Sequence, residues 1–285
     1  MKLVTSQKRF FPVVAGISLL GFSAAFANAG IIYSNGFENG DPGTHDFFDS
    51  TTNTQGADIT IAPNGGGVLH LTAPQGTHYA EITNVHDTYQ AGYGQSVFTD
   101  FGAGAAPGIV INGPFFQSTS YYINTGWAAA SANNNFQGFW IDTTPSNDPT
   151  FKDETNFRIV DTGSGSIGVQ MVGLGGSGST SITASGWYTF RTTFENDGSG
   201  NVMNNMSVLD SLGNTVGSYT ADSTMPYANL AGTSYGDWTT VWQNGFANDV
   251  LAIDNVQVGN LPEPASLSLI GLSSTLLLRR RRRAV

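Results

Sequence analysis

The chain has no cysteine, so no disulfide staples it, no thiolate can act as a nucleophile and no Cys-ligated zinc site can form. Positive charge is almost as scarce through the middle. Of eleven Lys and Arg, Lys2, Lys8 and Arg9 crowd the start, Arg279, Arg280, Arg281, Arg282 and Arg283 crowd the end, and only Lys152, Arg158 and Arg191 lie between. From Gly30 to Asn260 these three stand against twenty Asp and Glu, a formal charge of −17. Such a body repels a phosphate backbone, and nucleic acid is not an expected partner. No amphipathic helix of convincing length and no exact internal repeat occurs, and neither apolar run reaches the roughly 20 residues that cross a bilayer comfortably. What is abundant is Gly, Ser, Thr and Asn, with little Lys or Glu, a balance that suits an extracytoplasmic β domain.

Both ends read as addresses. "MKLVTSQKRFFPVVAGISLLGFSAAFANAG" has a basic head, an apolar run from Phe10 to about Phe22 and an A-x-A site at Ala27 and Ala29. This is the pattern of a secretory signal helix over 1–29, cut after Ala29 by signal peptidase. At the other end, Pro262 and Pro264 set a boundary before the short apolar run 265–278, and the terminal arginines would hold its end in the cytoplasm. The reading is a short hydrophobic helix and transient membrane insertion. Pro262, Glu263 and Pro264, the apolar stretch and the arginine cluster together resemble the PEP-CTERM sorting signal of exported Gram-negative bacterial proteins. That resemblance covers 261–285 and implies processing by a membrane exosortase near the PEP element. It also implies delivery of the 30–260 body across the inner membrane to the cell surface, outer envelope or extracellular matrix.

Within 30–260, a dozen or more short β-prone runs alternate with Gly, Asn, Asp and Ser clusters, among them "GIIYS", "GVLHLTA", "YAEITNV", "SIGVQMVG" and "VLAIDNVQVG". The period is clearest in "GWYTFRTTFENDGSGNVMNNMSVLDSLGNTVGSYTA". Trp187, Thr189, Arg191 and Thr193 belong to one face, Tyr188, Phe190, Thr192 and Phe194 to the other, and "NDGSGN" and "DSLGN" read as hairpin turns. The expected fold is all-β, a single two-sheet jelly-roll β-sandwich whose first and last strands may pair. "GLGGSGS" lacks the lysine and the strand-to-helix setting of a phosphate cradle and reads as a flexible loop.

"YSNGFENG" and "VLAIDNVQV" resemble the first and last strands of jelly-roll carbohydrate-binding modules and related concanavalin A-like domains. The resemblance implies one structural Ca²⁺ held by Glu38 and Asp254 with backbone carbonyls. Oxygen ligands from both chain ends suit a hard cation, which neutralises converging carboxylates.

Enzyme chemistry finds little support. A glycoside hydrolase needs two carboxylates flanking the scissile bond, and no alternating E-x-D-x-x-E strand is present. The nearest acids are Glu81 with Asp87, and the adjacent Asp153 and Glu154. No G-x-S-x-G elbow and no H-E-x-x-H occurs, and His45, His70, His78 and His86 read as surface or strand residues. Five tryptophans, Trp127, Trp140, Trp187, Trp238 and Trp242, favour binding, because aromatic faces stack on sugar C–H faces while polar neighbours bond hydroxyls. The candidate is "YGDWTTVWQNGFAND", a Gly-containing, loop-like stretch with Tyr235, Trp238 and Trp242. Trp187 reads as core or core edge. The leading expectation is a non-enzymatic, glycan-binding surface or exopolysaccharide-matrix protein. A structural matrix protein and a glycoside hydrolase are the alternatives.

Overall fold

The computed structural model describes residues 30–39, 48–49, 58–83, 95–100, 113–127, 137–145, 155–161, 166–173, 175–230, 235–241 and 250–261. The signal segment, the PEP element with its arginines, and Trp242, His45, His86, Asp87, Asp153 and Glu154 lie outside these residues.

The fold is an antiparallel two-sheet sandwich of jelly-roll type. In the first sheet the strands run, in spatial order, β13 (Thr215–Pro226), β12 (Asn201–Leu209), β11 (Gly186–Asn196), β6 (Phe115–Ile123), β15 (Leu251–Asn260), β4 (His78–Thr83) and β3 (Asp58–Pro63). The first strand, β1 (Gly30–Asn35), pairs with β15, so Gly30 lies opposite Asn260. In the second sheet the order is β10 (Gly176–Ile182), β9 (Ile167–Gly173), β8 (Thr155–Asp161), β7 (Gln137–Pro145), β14 (Tyr235–Val241), β5 (Gln95–Asp100) and β2 (Phe48–Asp49).

The alternation read in β11 is the one observed. Tyr188, Phe190, Thr192 and Phe194 are buried, while Trp187, Thr189, Arg191 and Thr193 are half-buried on the other side. Across the interior Phe190 meets Phe157 of β8 edge to face at 5.3 Å, and Ile159, Val169, Met171 and Ile182 complete the contact between sheets. Both turns are closed by an aspartate that accepts backbone N–H groups: Asp197 from Ser199 and Asn201, Asp210 from Leu212 and Asn214. These bonds hold both carboxyls below their ordinary range, for Asp197 chiefly through the Asn201 N–H and for Asp210 chiefly through the Asn214 side chain.

Three local expectations need correction. "GVLHLTA" is no strand; residues 67–73 form a turn and an irregular stretch laid over the first sheet. "GLGGSGS" is not a loop throughout, because Gly176 begins β10. Missing side chains there let β10 approach β13 closely: a Cβ on Gly178 would lie 2.7 Å from the Tyr219 ring. "YGDWTTV" is strand β14, hydrogen-bonded on both edges, rather than loop-like.

Candidate functional site

The turn after β1 meets the last strand through irregular backbone. Past β1, Phe37 takes φ = 58° and its N–H is caught by Asn35 Oδ1 at 2.8 Å; in β15, Asn255 takes φ = 52°. At that point β15 bulges, its register on β6 jumping from Asp254 opposite Ser120 to Gln257 opposite Ser118. The turn and the bulge bring Glu38 and Asp254 to either side of Gly36, where a Cβ would sit 3.8 Å from Asp254 Oδ1 and 3.9 Å from Glu38 Cγ.

The two carboxylates have opposite environments. Glu38 is exposed and well bonded, accepting from Thr77 N–H at 2.8 Å, the Thr77 hydroxyl at 2.8 Å and His78 N–H at 3.1 Å, with His78 Nδ1 3.6 Å from Oε2. The Thr77 hydroxyl leads these bonds in lowering its pKa to about 2. Asp254 is fully buried. Its Oδ2 accepts a long bond from Gln75 N–H, 3.3 Å, and its Oδ1 has no hydrogen-bond partner among the described residues. Burial pushes its pKa up to about 7, and the neighbouring Glu38 charge acts in the same direction.

An orphaned carboxylate oxygen beside a second carboxylate is what a hard cation would complete. Among the described residues no three acidic or histidine side chains converge, so carbonyls and water would supply the remaining ligands. Glu38, Asp254 and the irregular backbone at 36–37 fit that requirement.

The loop between β3 and β4 is held by carboxylates along its whole course. Glu81 of β4, 1 % exposed, accepts Val68 N–H and Leu69 N–H at 2.9 Å each and the Tyr79 hydroxyl at 3.2 Å. Burial pushes the Tyr79 hydroxyl above its ordinary value. Trp187 donates its indole N–H to Thr72 O at 2.7 Å, and its ring meets Tyr79 and Tyr122 edge to face. Glu81 is therefore a loop anchor, with both oxygens already accepting hydrogen bonds from the chain, and Trp187 lies under that loop at the rim of a small cluster.

Tyr235 and Trp238 lie three residues apart in β14, and the backbone register gives them different neighbours. Tyr235 lies opposite Pro145. Trp238 lies opposite Asp142, which is opposite Asn156, while Thr240 lies opposite Trp140, which is opposite Arg158 and then Gln170. Arg158 donates from Nε to Asn156 Oδ1 at 2.8 Å, and Gln170 is exposed. Trp140 was legible only as one of five tryptophans, and Asn156, Arg158 and Gln170 were not singled out as binding residues. The alternation in "GFWIDTT" and "FRIVD" was the available signal, but pairing of the two strands was needed to join them.

No family model matches the chain, and no curated protein matches it. Among solved structures the chain is similar to an endo-β-1,4-glucuronan lyase from the fungus Trichoderma reesei, at 11 % identity and TM-score 0.46, over 81 % of this chain and 95 % of that one. A PL-14 alginate lyase from Aplysia kurodai is similar at 11 % identity and TM-score 0.45, over 81 % of this chain and all of that one. The CBM2 module of the evolved Dit of Lactobacillus casei BL23 phage J-1 is similar at 9 % identity and TM-score 0.43, over 82 % and 97 % of the two chains.

Proposed function

We propose that the chain is an exported, non-enzymatic glycan-binding protein of the Gram-negative cell surface or exopolysaccharide matrix. Signal peptidase removes 1–29, an exosortase processes the PEP element, and extracellular polysaccharide is the ligand of the 30–260 body. One structural Ca²⁺, held by Glu38 and Asp254, cancels the repulsion between these acids and ties the turn after β1 to β15.

The observation that supports the binding reading is the backbone register of β14, which sets Trp238 in a strand paired on both sides and opposite Asp142. A tryptophan beside polar residues is the combination a sugar site uses. The non-enzymatic part is supported by Glu81, whose carboxylate is committed to two backbone N–H groups and a phenol.

A glycan array probed with the full chain tests the proposal. Saturable binding is expected, with at least a tenfold loss in Trp238→Ala and unchanged melting. If no glycan binds, or if reducing ends are released from any of them, the reading fails.

A further inference from the structure

Resting on the Ca²⁺ reading of Glu38 and Asp254, we infer that the segment 64–77 is a strap with two unlike clasps, a permanent one at Glu81 and a cation-controlled one at Glu38 and Asp254. A divalent cation tightens the second clasp and leaves the first unchanged.

The strap is one hydrogen-bonded unit. Asn64 joins its limbs: its N–H donates to Thr77 O at 2.8 Å, its Oδ1 accepts Ala73 N–H at 2.7 Å and its Nδ2 donates to Gly76 O at 3.3 Å. Gly65 N–H closes on Leu71 O at 2.7 Å, and Leu71 N–H donates at 3.1 Å to the Tyr79 hydroxyl, which reaches Gly66 O at 2.9 Å. Underneath, Leu69, Leu71 and Ala73 join Tyr122 and Trp187 around the buried Ala62, Tyr79 and Ala252, and Trp187 holds Thr72 O through its indole N–H.

Each end of the strap passes a carboxylate at a glycine of positive φ. At Gly67, φ = 69°, a Cβ would come within 2.6 Å of Glu81 Oε1, and at Gly76, φ = 75°, it would overlap Glu38 Oε1. The backbone can therefore press its N–H groups onto the acids. Val68 and Leu69 donate to Glu81, one to each oxygen. Gln75 donates to Asp254, and Thr77 and His78 donate to Glu38.

The clasps differ in charge. The Glu81 clasp closes on one acid, whose two oxygens both take strap N–H groups at 2.9 Å. At the other end the donors are divided between two acids on either side of Gly36. Asp254 is fully buried, and its Oδ1 has no hydrogen-bond partner among the described residues. Repulsion between the two acids acts on the strap, because Gln75 is tied to one of them and Thr77 and His78 to the other. The bond from Gln75 is accordingly the long one, 3.3 Å. Held together by a hard cation, Glu38 and Asp254 attract through it rather than repel, and their N–H donors keep one spacing. Cation supply then sets how firmly the strap covers Tyr79, Tyr122 and Trp187.

The test combines calorimetric titration of the full chain with Ca²⁺ and residue-resolved amide hydrogen exchange in Ca²⁺ and in chelator. Gln75, Thr77 and His78 should exchange at least tenfold more slowly with Ca²⁺, while Val68 and Leu69 stay within twofold. In Glu38→Gln, which keeps an acceptor for Thr77 but loses the charge, the tenfold difference should vanish. If Ca²⁺ binds and the two groups of amides respond alike, or neither responds, the strap inference falls while the cation site stands. A tenfold response that persists in Glu38→Gln overturns it as well. If no Ca²⁺ binds, the site reading itself fails, and this inference with it.

Discussion

The outward faces of the two sheets use polar residues in opposite ways. On the first sheet, Ala62, Tyr79 and Ala252 are buried with Leu69, Leu71, Tyr122 and Trp187 packed around them, because the loop between β3 and β4 lies across that face. Three carboxylates hold the loop: Glu81 takes Val68 and Leu69, Asp254 takes Gln75, and Glu38 takes Thr77 and His78. On the second sheet Gln170 is exposed and Arg158 is bonded to Asn156. The contrast shows how a body with three basic residues satisfies its acids. Backbone N–H groups do the work that Lys and Arg do elsewhere, and the acids so engaged serve structure.

The largest expected effect comes from Asp254. Its carboxyl has a folded-state pKa of about 7 against an ordinary 3.8, so the metal-free fold is favoured fully below about pH 4 and loses stability as pH rises through 7. The loss is on the order of 4 kcal/mol at most. Urea unfolding in chelator at pH 4.5 and 8 should show it. With Ca²⁺ the pH 8 value should recover, through preferential binding to the folded state. Asp254→Asn should abolish both the pH dependence and the Ca²⁺ effect. A rise in apo stability between pH 4.5 and 8 would contradict the burial argument.

Next comes Glu81→Ala, which removes the acceptor of the partly buried Val68 and Leu69 N–H bonds, while the Tyr79 hydroxyl keeps Gly66 O at 2.9 Å, and should cost about 3 kcal/mol. Loosening of the loop should appear as a red-shifted Trp187 emission, while any polysaccharide binding stays within twofold. Lost binding at retained stability would mean the two faces are not separate in function. The smallest effect expected is at the seam where the sheets meet. Gly178→Ala forces a methyl onto the Tyr219 ring, for about 2 kcal/mol by urea unfolding, again without a change in binding.

Some of this was readable in the chain because it is local. The hairpins at Asp197 and Asp210 depend on residues at most four apart, and the β11 alternation depends on the period of a single strand. Where a glycine run meets a distant partner, the reading failed: β10 is a strand because Tyr219 of β13 accepts its bare backbone, a contact no local signal announces. The same holds for "GVLHLTA", whose apolar residues suggest a strand but are buried by lying on Tyr79 and Trp187.

By itself, then, the sequence determined the all-β class, the turns, the faces within each strand and the acidity of the body, since all of these follow from composition and period 2. Only the tertiary structure decided which carboxylates are orphaned and which are committed. Asp254 is fully buried and takes an N–H from Gln75, 179 positions away, while Glu81 holds a loop 12 and 13 residues upstream. It also decided that Trp140 and Arg158 fall opposite one another in the register of β7 on β8. The physical reason is that parity is a property of one strand, whereas burial and neighbourhood come from which strands pair and in what register.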